Sequence, residues 1–246
     1  MDLLLRRACR VASFDVGPRG ELRTSALMGY LEDAAGAHAS AFGLGVRELQ
    51  PRGFAWVLSR YNLRVLRVPL LGESLEVATW PSGRTAVFAT RDFEVCDARG
   101  SVVALATTSW AVIDLVSKRP RRMSDVVSPE LVVDRRAIAD DFRSLPAPEG
   151  ALSQVALPVL RRDLDMNVHV NHAVYADWAL EAAPAQLAQA GPPRGLEVAY
   201  VAEARLGDAI VSSCAPAADG DGRVLLHRIT RSSDGVELAR ARTTWV

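Results

Sequence analysis

Two hydrophobic periodicities run along this chain, and each occurs twice. Leu27, Tyr30, Leu31, Ala34, Ala35 and His38 recur at three and four residues, which predicts an amphipathic helix, and Tyr175, Trp178, Ala179 and Ala182 repeat that spacing. Asn171 stands where a cap of the second helix belongs; Gly43 and Gly45 should end the first, and Pro184 should end or kink the second. After each helix come runs rich in Val, Leu and Trp: AWVLSRYNLRVLRV, ESLEVATW, AVFATRDFEV and SVVALATTSWAVID, then LEVAYVAEA, AIVSSCAP, RVLLHRIT and VELARARTTWV. These read as strands, with hairpin turns at Asp-Ala-Arg-Gly and Ser-Asp-Gly. Each half is then one helix followed by an antiparallel meander.

The halves are copies. One offset of 135 carries Gly72 onto Gly207, Gly100 onto Gly235 and Trp110 onto Trp245, which predicts a repeat without a gap, and an offset of 148 carries Tyr30 onto Trp178 and Asp33 onto Glu181. The first half simply holds 13 more residues after the helix. The strands are too apolar to leave a face to water, and one helix per half is available to cover them. That predicts an α+β double hotdog, a curved antiparallel sheet around a central helix, built twice in tandem. Charge, Pro and Ser rise between the copies, which gives a first domain over 1–118, a linker over 119–152 and a second domain over 153–246.

Composition narrows the function classes. With 246 residues and 49% hydrophobic content the chain can fill a real core, while 29 Lys plus Arg balance 29 Asp plus Glu. No overall field therefore argues for nucleic acid or an anionic membrane surface. Three widely spaced cysteines, Cys9, Cys96 and Cys214, form no CxxC pair, which speaks against a disulfide framework or a thiolate zinc site. Neither a signal peptide nor a stretch approaching about 20 apolar residues is present, so the expected setting is cytoplasmic, with no metal and no cofactor.

One segment carries candidate chemistry. In DLDMNVHVNHAVY, running from Asp163 to Tyr175, the residues Asp165, Asn167 and His169 alternate with Met166 and Val168, so in extended chain the three would share a side. The duplication supplies a control: the equivalents are Gly17, Arg19 and Glu21, so the fold does not require the trio. Similarly, Glu203 falls opposite Val68 and Val201 opposite Leu66, which predicts a carboxylate on an inward apolar face, with His169 as its natural partner. The duplicated Trp110 and Trp245, and Trp56 and Trp80, read as core, and Asn171 as a cap rather than a catalyst.

The pattern resembles the bacterial and plant acyl-ACP thioesterases along nearly the whole chain. The stretches that carry the likeness are LEDAAGAHASAFGLG, AWVLSRYNLRV, TWPSG and RDFEVCDARGSVVALATTSWAVID, then the Asp-x-Asn-x-His-Val-Asn pattern of DLDMNVHVNHAVYADWALEA and the Tyr-x-x-Glu of YVAEARLGD. The resemblance implies Asp165, Asn167, His169 and Glu203 as the catalytic set and an acyl-chain site in the first hotdog. In plant members a cysteine follows the glutamate; here that position is Ala204, so a cysteine route is closed at this site.

Thioester hydrolysis needs a positioned water, a base and donors for the oxyanion. Glu203 as base with His169 orienting water, Asn167 and a backbone N–H near the helix start on the carbonyl, and Asp165 fixing the network is the favoured arrangement. A covalent route through Asp165 is the alternative. The implied partner is an acidic acyl carrier protein, with a homodimer as one assembly the fold allows. Basic clusters at Lys118 to Arg122, at Arg135 and Arg136, and at Arg161 and Arg162 could dock the carrier. The rival readings are an acyl-CoA thioesterase, a dehydratase or hydratase of 3-hydroxyacyl thioesters, and a non-catalytic acyl-binding module.

Overall fold

A computed structural model describes residues 2–218 and 222–246. The chain forms two compact units, the first comprising 1–22 and 27–142 and the second 23–26 and 143–246.

In the first unit the elements run β1 (Leu5–Arg10), α1 (Thr24–Ala41, of which 24–26 group with the second unit), α2 (Val46–Leu49), β2 (Phe54–Val65), β3 (Ser74–Arg84), β4 (Phe88–Asp97) and β5 (Val102–Asp114). In the second they run β6 (Ser153–Pro158), α3 (His172–Glu181), α4 (Ala185–Ala190), β7 (Gly195–Tyr200), β8 (Ala209–Pro216), β9 (Val224–Arg231) and β10 (Glu237–Thr244). The strand order is β1-β3-β4-β5-β2 in one and β6-β8-β9-β10-β7 in the other. Among the described residues, three strands of each half therefore form a meander. The strand after the helix pairs across to the last strand, and a strand before the helix, β1 or β6, closes the opposite edge on β3 or β8.

These edge strands depart from the expected helix-then-meander order. Leu-Arg-Arg-Ala-Cys-Arg offers no clean alternation because an edge strand tolerates, and benefits from, charge along its open side.

The helices bury the predicted stripes. Leu27, Met28, Leu31, Ala34 and His38 of α1 are buried, and His38 Nδ1 meets the Arg91 guanidinium of β4 at 3.1 Å. Along α3, Ala173, Tyr175, Ala176, Trp178 and Ala179 are buried, and the helix packs on β8, β9 and β10. The Asn171 side chain accepts from Ala173 N–H at 2.8 Å, a cap of about 1 kcal/mol. The helix stops at Glu181, ahead of Pro184.

The duplication holds in hydrogen bonds as well as in residues. Val11 N–H donates to the Glu73 carbonyl as Val159 N–H does to Asp208, and Trp110 Nε1 donates to Thr108 as Trp245 Nε1 does to Thr243. It is not gapless. Leu75 pairs with Asp97 where Ile210 pairs with Arg231, so β3 maps onto β8 at 135 while β4 maps onto β9 at 134. Val95 and Ala104 pair where Ile229 and Ala239 do, which returns the offset to 135 in β10. Two compensating one-residue changes flank β9.

After β5 the chain stays on the first unit. Met123 and Val127 pack with Val112, Trp80 Nε1 donates to the Arg135 carbonyl at 2.8 Å, and Asn62 Nδ2 donates to Asp140 at 2.7 Å. Arg136 reaches the fully buried carboxylate of Asp92 at 2.9 Å, while Arg135 lies over Trp80 and binds Glu94. Both arginines are thus engaged within the unit.

Candidate active site

Asp165, Asn167 and His169 lie in a tight loop, not on an extended strand. Leu164 and Val170 form the bridge that closes it, the Asp165 N–H donates to the His169 carbonyl at 2.8 Å, and the Val168 N–H returns to the Asp165 carbonyl at 3.1 Å. The first copy makes the same loop: Val16 bridges Leu22, Gly17 N–H donates to Glu21, and Gly20 N–H to Gly17. The expectation that alternation would align the trio therefore fails, because Met166 to Val168 turn rather than extend.

The turn demands a left-handed residue. Gly20 supplies it in the first copy at φ +74°, and glycine does so without strain. In the second copy the residue is Val168 at φ +64°, a β-branched side chain where such a conformation is an outlier. What holds it is the Asp165 carboxylate. Its Oδ1 accepts from the N–H groups of Asn167 at 2.8 Å and His169 at 3.2 Å, on either side of Val168, and its Oδ2 accepts from Asn167 Nδ2 at 3.3 Å. Both oxygens are engaged in shaping the loop.

The loop delivers His169 to Glu203. The imidazole Nε2 lies 3.4 Å from Glu203 Oε2, and Arg205 approaches the same oxygen at 3.5 Å. Asn167 is exposed at the tip, and α3 begins at His172, three residues beyond His169, with its N-terminal end toward this segment.

Glu203 does not face inward. Its side chain is 49% exposed, in the connection between β7 and β8. Both Val201 and Ala202 N–H groups donate to the Leu238 carbonyl, as Leu66 and Arg67 donate to Val103, and this doubled bond turns the chain off the sheet. The equivalence of Leu66 and Val201 is sound, but both are solvent-facing at 60% and 59%, so Leu66 never marked an apolar interior. Two contributors escaped sequence reasoning. Arg205 replaces Leu70, and Val168 replaces Gly20, a β-branched residue at a glycine position that the 148 offset already exposed.

The arrangement brings together a carboxylate open to water, an imidazole beside it, an amide at a loop tip and a rigid carboxylate anchor. Among the described residues no cluster suited to a metal ion occurs. Cys9, Cys96 and Cys214, whose thiols burial pushes up, belong to β1, β4 and β8, and none is part of the loop.

Residues 2–131 match the family model described as the acyl-ACP thioesterase N-terminal domain, and 148–246 match that of the C-terminal domain. A chloroplastic acyl-acyl-carrier-protein hydrolase of Cuphea viscosissima is 27% identical over 98% of this chain. A dodecanoyl-acyl-carrier-protein hydrolase of Cinnamomum camphora is 27% identical over 99% of it. The chain spans 62% and 68% of the lengths of these two relatives. Among solved structures, the 12:0-ACP thioesterase from Umbellularia californica superposes with a TM-score of 0.88 at 24% identity, covering 100% of this chain and 98% of that one. An acyl-ACP thioesterase from Bacteroides thetaiotaomicron gives 0.87 at 24%, covering 99% and 98%. At this identity the superpositions speak to fold, and the fold is the double hotdog.

Proposed function

This chain belongs to the acyl-ACP thioesterase family, and from that premise we propose that it hydrolyses the thioester of a fatty acyl chain on acyl carrier protein. The products are free fatty acid and holo-carrier, which ends chain elongation in fatty acid biosynthesis. The observation that carries the reading is the His169–Glu203 approach of 3.4 Å, at the end of a loop that Asp165 holds in a strained conformation.

In this reading Glu203 takes a proton from a water oriented by His169, and the water oxygen bonds to the thioester carbon. The carbonyl oxygen becomes an oxyanion, met by the Asn167 Nδ2–H that does not go to Asp165 and favoured by the positive end of the α3 dipole. Collapse breaks the carbon–sulfur bond, and the proton held by Glu203 leaves with the thiolate. Asp165 is the anchor. The covalent alternative through Asp165 is the weaker one, since both carboxylate oxygens already accept N–H bonds.

For the carrier, the exposed run Lys118 to Arg122 and the pair Arg161 and Arg162 offer positive surface, whereas Arg135 and Arg136 are engaged with Glu94 and Asp92. The test is release of free thiol from acyl carrier protein and from acyl-CoA of equal chain length. Faster release from the carrier supports the reading; faster release from acyl-CoA makes the chain an acyl-CoA thioesterase, and an enoyl thioester product makes it a dehydratase. Glu203→Ala with undiminished thiol release would remove the site from the reaction.

A further inference from the structure

The backbone on both sides of Glu203 is gripped by one side chain from the helix below. Tyr175, buried in α3, accepts from the Ala204 N–H at 2.9 Å and reaches the Ala202 carbonyl at 3.4 Å as donor. Its ring is wedged against Trp178, with centroids 5.0 Å apart, and edge-on against Tyr200 at 5.5 Å; Tyr200 in turn donates to the His172 carbonyl at 3.1 Å. The phenol thus sits on a stack with little freedom and spans the residue between its two backbone partners. Burial pushes its pKa up to about 12, so the hydroxyl keeps its proton and can donate and accept at once.

The first copy shows what this grip is not for. At the 148 offset Tyr175 corresponds to Leu27, which has no hydroxyl, and at the 135 offset Ala204 corresponds to Pro69, which has no N–H. The backbone nevertheless follows the same course there, with the Leu22 N–H donating to the Pro69 carbonyl as Val170 does to Ala204. Donor and acceptor are both absent in the copy that lacks Glu203 and His169, and both present in the copy that has them. A hotdog is built either way.

We propose that Tyr175, through the Ala204 N–H and the Ala202 carbonyl, is the positioning residue that holds Glu203 at its distance from His169. The inference rests on the reading of Glu203 as the base. A carboxylate on an exposed turn samples several positions unless its backbone is fixed, and displacement of about 1 Å in a reacting group can cost about a hundredfold in rate.

Three variants of the full chain test this, with thiol release from acyl carrier protein followed for each. Tyr175→Phe leaves the buried Ala204 N–H without its acceptor, so both the melting temperature and kcat should fall, kcat by about tenfold to a hundredfold with KM little changed. The pair Tyr175→Leu with Ala204→Pro installs the first copy's solution, and should recover the melting temperature while kcat stays low. Glu203→Ala should lower kcat further, and adding Tyr175→Phe to it should cost nothing more. Recovery of kcat together with stability in the paired variant would mean that Tyr175 serves folding alone and overturns the proposal. Undiminished kcat in Tyr175→Phe beside an impaired Glu203→Ala overturns it too, whereas undiminished kcat in Glu203→Ala removes the reading beneath and the proposal with it.

Discussion

His169 Nε2 meets Glu203 Oε2 at 3.4 Å across a join between two unlike segments, a strained loop before α3 and a turn after β7. Neither segment is held by Glu203 itself, whose side chain is half in solvent and also meets Arg205. Glu203→Gln keeps the shape and removes the base, so kcat should fall by about a hundredfold to ten-thousandfold. Unfolding free energy should change by no more than about 0.5 kcal/mol. Denaturant melts run beside thiol-release assays check both, and a large stability loss would mark the residue as structural.

Asp165 and Val168 form the second testable pair. Asp165→Ala removes the acceptor of both N–H groups flanking Val168, and turnover should fall by orders of magnitude. Asp165→Asn keeps an acceptor oxygen for those two bonds, so it should turn over about tenfold or more faster than Asp165→Ala. Equal inactivity of the two would instead favour a carboxylate nucleophile. Val168→Gly, which copies Gly20, relieves a left-handed valine and should raise stability by about 0.5–1 kcal/mol after the entropy of the added glycine is subtracted. Thermal melting of the variant measures it.

Much of this was legible in the sequence because the chain carries its own control. The helices, the strands after them and the site segment appear as repeats with one altered patch, and that patch is where His169 and Glu203 meet. Physical reasons separate the legible from the rest. β1 is an edge strand that admits Arg6, Arg7 and Arg10, which erases the alternation that marks a strand, and β6 is a six-residue edge strand ending in a proline. The inward reading of Glu203 took Leu66 for core because it is apolar, and a single exposed leucine is ordinary on a surface. Alternation through Asp165, Asn167 and His169 suggested a strand, but the loop closes on a left-handed residue that only Gly20, in the other copy, announced.

Asp92 and Arg136 give a prediction about the stretch that follows β5. The carboxylate is fully buried and is held by the Arg136 guanidinium and the Ala137 N–H, both at 2.9 Å. Arg136→Met leaves the acid in the interior with one donor. Because the arginine is about one-third exposed, the cost should sit at or somewhat below the 3–5 kcal/mol typical of a broken buried pair, about 2–3 kcal/mol. Asp92→Asn combined with Arg136→Met should recover part of that loss, and chemical denaturation of the set reads it directly.

His227 sets an acid limit on the second unit. The ring is fully buried in β9, with Nε2 at 2.8 Å from the Thr243 hydroxyl, and burial lowers its pKa from 6.5 to about 4. The unfolded chain therefore binds a proton between those values while the folded chain does not, so this contribution to stability is complete above about pH 6.5 and declines as pH falls toward 4. Over that interval the loss is about 3 kcal/mol. The register of β9 places His227 where β4 has Phe93, itself buried. His227→Phe should then fold with stability within about 1 kcal/mol of the parent at neutral pH, since Thr243 keeps its bond from Trp245 Nε1. Between pH 6.5 and 4 the variant should lose less stability than the parent by about 3 kcal/mol. Denaturant midpoints taken across that range measure the slope, and parallel pH profiles for parent and variant would show that the acid sensitivity belongs to another group.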